Sequence, residues 1–170
     1  IDELKTRSVA SSCVSDSRVK NILVFVTPRA LGQSSKTGWK DSDFSLTVTL
    51  NYDRITISGY SPCYKIKTVS GKYNYYQGRY DMLSLELIAG QSGKAFTSSS
   101  SSSLVGTKSE RCSGVYNSPS SGTTYSKSTN FQYYIEAVSS TNVGGSAELT
   151  YSRSTSLPSQ SLYVNIQLID

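Results

Sequence analysis

Apolar residues along this chain recur with a period close to two. Phe44, Leu46, Val48 and Leu50 alternate with Ser45, Thr47 and Thr49, and Leu162, Val164, Ile166 and Leu168 alternate with Tyr163, Asn165 and Gln167. Successive side chains of a β-strand point to opposite faces, so each stretch predicts a strand with one dry and one wet face. Asn21 to Val26, closed by Thr27 and Pro28, is a nearly continuous apolar run and predicts a central strand, buried on both faces or crossing between sheets. Further strands are expected over 54–58, 63–69, 80–89, 130–138 and 147–153, with turns at Ser58-Gly59, Ser70-Gly71, Ala89-Gly90 and Gly144-Gly145. Asp81 to Ile88 also fits a short helix, since leucine and glutamate favour that state. Together these elements predict an all-β protein, an antiparallel β-sandwich or jelly roll of about 8–9 strands.

Composition sharpens the picture. The 170 residues suit one domain, because single cores commonly serve roughly 100–200 residues. We expect a single domain over 1–170, with a polar leader at about 1–17 and a long Ser-rich loop at about 97–128. Six consecutive serines, 98–103, open that loop, and so polar a stretch buries too little to offset its ordering entropy. The net charge of +5 favours anionic partners. The cations are dispersed, however, and neither a recognition helix nor an aromatic RNA-binding signature is found, so no specific nucleic-acid partner is expected. No apolar run reaches the roughly 18 residues that a transmembrane helix requires.

Histidine is absent, which excludes a Ser-His-Asp or Cys-His triad and the usual histidine ligation of zinc or non-haem iron. Two-carboxylate chemistry stays open, with Asp81/Glu86 and Glu136/Glu148 as candidate pairs. Glu86 and Glu136, however, fall opposite apolar strand faces, where solvent-side spacers sit. Asp41, Asp43 and Asp53 could offer hard oxygen ligands for calcium, yet no glycine-containing loop with a closing glutamate accompanies them, and turn-forming or strand-ending aspartates explain the same residues. No cofactor and no metal are expected.

The most informative segment is Lys72-Tyr73-Asn74-Tyr75-Tyr76-Gln77-Gly78-Arg79-Tyr80. Tyrosine and arginine give large contact areas with a polar handle, and amides pair with hydroxyl groups. Tyr73, Tyr75, Tyr76 and the lone Trp39 are the candidate stacking residues, with Asn74, Gln77 and Arg79 fixing orientation. Side chains alternate along a strand, so Tyr73 and Tyr75 form the pair that can share a surface. The plain alternative is that these tyrosines are half-buried strand residues.

Three cysteines, Cys13, Cys63 and Cys112, are spaced too widely for paired zinc ligands. Cys63 and Cys112, beside Pro62 and Gly114 in turn-like surroundings, are the candidate disulfide. The opening Asp2-Glu3-Leu4-Lys5-Thr6-Arg7-Ser8 resembles the polar start of mature exported proteins and lipoproteins of gut Bacteroidota. That resemblance covers seven residues. It implies a periplasmic or outer-surface protein tethered by a lipidated cysteine upstream of Ile1, and it carries over no functional residue.

The chain thus reads as an extracytoplasmic, non-catalytic binding module, secreted, periplasmic or on the outer cell surface. Its expected partner is a glycan or protein at the cell surface, held through the tyrosine-rich segment. The alternative is a structural or assembly component of a surface appendage, pairing through the terminal strand 161–169. A carboxylate-based glycoside hydrolase is third.

Overall fold

The computed structural model describes residues 16–24, 43–153 and 156–168. Among the described residues nine strands run in chain order: β1 (Asp16–Val24), β2 (Phe44–Ile55), β3 (Cys63–Tyr75), β4 (Asp81–Phe96), β5 (Leu104–Asn117), β6 (Thr124–Ser128), β7 (Tyr134–Glu136), β8 (Asn142–Ser152) and β9 (Gln160–Gln167). Every pairing is antiparallel. The all-β, antiparallel class expected from the alternation holds. The strands nevertheless join in one hydrogen-bonded sheet, ordered β1-β2-β3-β7-β4-β8-β9, with β5 added to β4 and β6 to β3. β7 is the seam: it bonds Cys63 and Tyr64 of β3 on one side and Ala95 and Phe96 of β4 on the other. The sheet curls until β2 lies across β8 and β9.

Alternation fills the space inside that curl. Leu46, Val48 and Leu50 of β2, Leu85, Leu87 and Ala89 of β4, Ala147 and Leu149 of β8, and Leu162, Val164 and Ile166 of β9 are all buried in one cluster. A smaller cluster of Ile55, Ile57, Cys63 and Phe96 closes one end, with the Tyr60 ring edge-on to Phe96 at 4.8 Å. A bulge in β3 shifts its register against β2, leaving Lys67 as the extra residue. The backbone of Ile66 is then served by side chains. Buried Gln91 accepts from Ile66 N at 3.1 Å, while Thr129 Oγ1 donates to Ile66 O. Gln91 Nε2 donates in turn to Glu110 Oε2 (2.7 Å) and Tyr133 O (2.8 Å).

Several expectations are corrected. Asp81 to Ile88 is strand, not helix. Residues 54–58 are the end of β2 and a turn, not a separate strand. Asn21 to Val24 belongs to β1, which stands at one end of the strand order rather than at its centre. Ser58-Gly59 does turn, with Gly59 at φ 82°. Ser70-Gly71, Ala89-Gly90 and Gly144-Gly145 lie inside strands. Two of these glycines mark close approach across the core instead: a Cβ on Gly71 would stand 2.6 Å from Leu87 Cδ2, and one on Gly145 2.7 Å from Leu50 Cδ2.

The long Ser-rich loop over 97–128 is not formed. Its serines build a compact cap in which Ser98 N donates to Ser103 Oγ (3.2 Å) and Ser103 Oγ donates to Ser98 O (2.9 Å). A 3-10 turn, Ser101–Ser103, follows, and β5 then runs back along β4. Hydroxyl groups satisfy the cap without burial, and β5 draws its order from the β4 ladder although most of its side chains are wet. The leader at 1–17 lies almost wholly outside the described residues. No helix among the described residues is long and apolar enough to cross a membrane.

Candidate functional site

The tyrosine-rich segment is the end of β3 and the five-residue turn, 76–80, that leads into β4. Gly78 makes the turn possible. Its φ is 103°, and a Cβ there would stand 2.5 Å from the Tyr80 ring. Asp43, just before β2, anchors the turn from below: its carbonyl accepts from Tyr76 N (2.9 Å) and Gln77 N (3.2 Å). The Tyr75 hydroxyl donates to Gly78 O across the turn.

The chemistry centres on Tyr80. Its hydroxyl donates to Asp43 Oδ2 at 2.6 Å and accepts from Arg153 Nη2 at 3.1 Å. The Arg153 guanidinium also lies 5.4 Å from the ring centroid, within cation–π range. Edge-on contacts with Phe44 (5.4 Å) and Tyr151 (5.6 Å) fix the ring. Burial, then the bond to Asp43, pushes the Tyr80 hydroxyl above the ordinary tyrosine value. Burial, with Tyr80 beside it, pushes Tyr151 up to about 12. The bond to Tyr80 raises the Arg153 guanidinium further. At neutral pH the hydroxyl of Tyr80 is therefore a fixed donor between an anion and a cation.

Around this ring opens a cleft of about 440 Å³ lined by Asp43, Gln77, Gly78, Arg79, Tyr80 and Arg153. That volume is within the range of roughly 300–1,000 Å³ typical of small-molecule sites. The walls are polar and two of them cationic. Arg79 is exposed, and its guanidinium makes no ion pair or hydrogen bond among the described residues. Such a site can hold an anionic or polyhydroxylated group.

Of the residues singled out in the sequence, Gln77 and Arg79 line the cleft. Tyr76, 57% exposed, and Tyr75, 36% exposed, stand at the turn, with Tyr75 edge-on to Tyr80 at 6.4 Å. Asn74 is half-buried on β3. Tyr73 is not a surface residue. It is 4% exposed, packs in the core, and donates through its hydroxyl to Pro119 O at 2.8 Å. The expected Tyr73–Tyr75 pair is therefore corrected: both side chains leave the same strand face, but the core covers the first and ends before the second. Trp39 and Asp41 lie outside the described residues.

The disulfide is also corrected. Cys63 and Cys112 are both free thiols. Cys63 is in β3 opposite Glu136, donates to Ser61 O at 3.4 Å, and is pushed by burial up to about 12. Cys112 is in β5 opposite Ala89.

Neither expected carboxylate pair converges. Asp81 and Glu86 lie five positions apart on one strand, and Glu136 is ion-paired with Lys94 at 3.3 Å. The register instead sets Glu86 directly opposite Glu148 on the wet face. Asp43 and Asp53 lie at opposite ends of β2, and Asp53 pairs with Lys67 at 3.5 Å. Sequence reasoning missed Asp43 and Arg153 as partners of Tyr80. The only signal for Arg153 is the β4–β8 register, which pairs Asp81 with Ser152 and so brings Arg153 beside Tyr80.

Comparison of the chain with protein-family models, with curated proteins and with solved structures gives no match.

Proposed function

We propose that this protein is a non-catalytic binding module that works outside the cytoplasm and holds an acidic glycan at the β3–β4 turn. The observation that carries this reading is the cleft beside Tyr80. Arg79 offers a cation there with no ion pair among the described residues, Arg153 a second cation held in place by Tyr80, and Gln77 an amide that can pair with sugar hydroxyls. Exposed Tyr76 and Tyr75 supply aromatic faces at the rim, and a tyrosine face suits the apolar side of a pyranose. The net charge of +5 adds long-range attraction for an anionic chain.

A glycan array carrying neutral, uronate-bearing and sulfated glycans tests this. Wild-type protein is expected to hit acidic glycans, with signals falling as salt rises. Arg79→Ala and Tyr76→Ala, each with an unchanged circular dichroism spectrum, should lose those hits. Acidic hits that survive both substitutions would move the site elsewhere. An array blank at high protein concentration would sink the reading.

One observation favours a second reading, assembly through a sheet edge. β9, Gln160–Gln167, has no charged residue and pairs with β8 alone among the described residues. Edges of that kind take up further strands. Mass rising with concentration in light scattering, and abolished by Asn165→Pro, would support assembly over a monomeric binder.

A further inference from the structure

The wet face of β4, β5, β8 and β9 carries a second cleft, about 180 Å³, far from the tyrosine turn. Gly90 is ten positions along the chain from Tyr80, roughly 30 Å at about 3.3 Å per strand residue. The cross-strand register explains how the cleft arises. Gln167, Gly144, Gly90 and Arg111 stand in one row across the four strands. The two central positions have no side chain, so the row is a bare backbone floor. Its ends, Gln167 and Arg111, are about 14 Å apart, three strand spacings of roughly 4.8 Å. Asn142 borders the floor on one side, and Ser146, Asn165 and Tyr163 on the other.

The walls have their polar groups in hand. Arg111, Asn142, Asn165 and Gln167 make no side-chain hydrogen bond or ion pair among the described residues, and Tyr163 is 41% exposed. Three amides each present donors and an acceptor, the pattern that adjacent hydroxyls of a sugar ring satisfy. Tyr163 gives an aromatic face, and Arg111 gives an always-charged fork for a carboxylate. The cleft is smaller than the roughly 300 Å³ at which drug-sized sites begin, so it takes one ring rather than an extended chain.

We propose that this cleft is a second ligand site, taking a single pyranose ring that bears a carboxylate, with the carboxylate at Arg111 and the ring hydroxyls on Asn142, Asn165 and Gln167. The site stands independently of the turn cleft. Its glycines also supply the test, because they differ. A Cβ on Gly144 would meet Ile166 O at 2.3 Å, whereas one on Gly90 finds only Glu110 O, at 3.9 Å. Gly90→Val therefore fills the floor, and its β-branched side chain suits a strand.

The probe is sodium D-glucuronate, titrated into nitrogen-15-labelled protein and followed by amide chemical shifts, with D-glucose and sodium sulfate as controls. Glucuronate is expected to shift the amides of Gly90, Gly144, Arg111 and Asn165. Gly90→Val should abolish those shifts, and Arg111→Gln should weaken binding about tenfold, the factor that ~1.4 kcal/mol represents. If Gly90→Val does not fold, Gln167→Ala with Arg111→Gln serves in its place. Shifts that survive these substitutions, an unmoved set of trough amides, or an identical pattern from sulfate alone would each overturn the proposal. The amides of Gln77 to Arg79 report on the turn cleft in the same spectra, so the two sites succeed or fail separately.

Discussion

Tyr73 and Tyr75 leave β3 on the same face and meet opposite fates, and the difference sets what each substitution should do. Tyr73 is enclosed and bonded to Pro119 O. Tyr73→Phe should cost about 1 kcal/mol of stability in urea unfolding, the usual net worth of one hydrogen bond, while leaving ligand binding intact. Glycine positions make the same point about local surroundings. Gly71→Val drives a branched side chain into Leu87 and should cost at least ~1–3 kcal/mol as overpacking. The dipeptides containing Gly71, Gly90 and Gly145 look like turns in the sequence because glycine punctuates chains. What places them inside strands is contact with residues distant in sequence, such as Leu50 and Leu87, or the openness of a cross-strand row. None of that is local information.

At the level of elements, what was legible follows one rule: strands with a dry face announce themselves, and strands without one do not. Alternation marks most of β9 and the first part of β2, Phe44 to Leu50, but not the continuation of β2 to Ile55. β5 and β6 were invisible, because their side chains are mostly wet and their order comes from backbone bonds to β4 and β3. The turn between β3 and β4 was legible as a cluster of binding-type residues, yet its partners Asp43 and Arg153 enter only through strand pairing. Gln91 is the clearest case of a residue whose role belongs to several elements. It ties β4 to the β3 bulge, to Glu110 of β5 and to Tyr133. Gln91→Leu should cost ~1–3 kcal/mol through the polar groups it strands, and hydrogen exchange at the Ile66 amide should accelerate. On the wet face Glu86 and Glu148 oppose one another with like charge. Glu148→Gln should therefore stabilise the protein by ~0.2–1 kcal/mol at neutral pH, read as a rise in Tm.

For the molecule as a whole, the buried tyrosines predict how it responds to alkali. Tyr151 ionises at about 12 in the folded protein, and Tyr80 and Tyr73 are also raised, against about 10 for an unfolded tyrosine. A raised pKa on an acid means that the folded state favours the neutral form. This contribution to stability is whole below pH 10 and is lost as pH climbs through about 12. Tyrosinate absorbance should accordingly show a late phase, with the urea midpoint falling over the same interval. The two unbridged thiols carry a different consequence, for how the chain reaches its native state. Cys63 and Cys112 impose no oxidative step, so a denatured and fully reduced chain should recover the native fold as fast, and in the same yield, with dithiothreitol in the refolding buffer as without it.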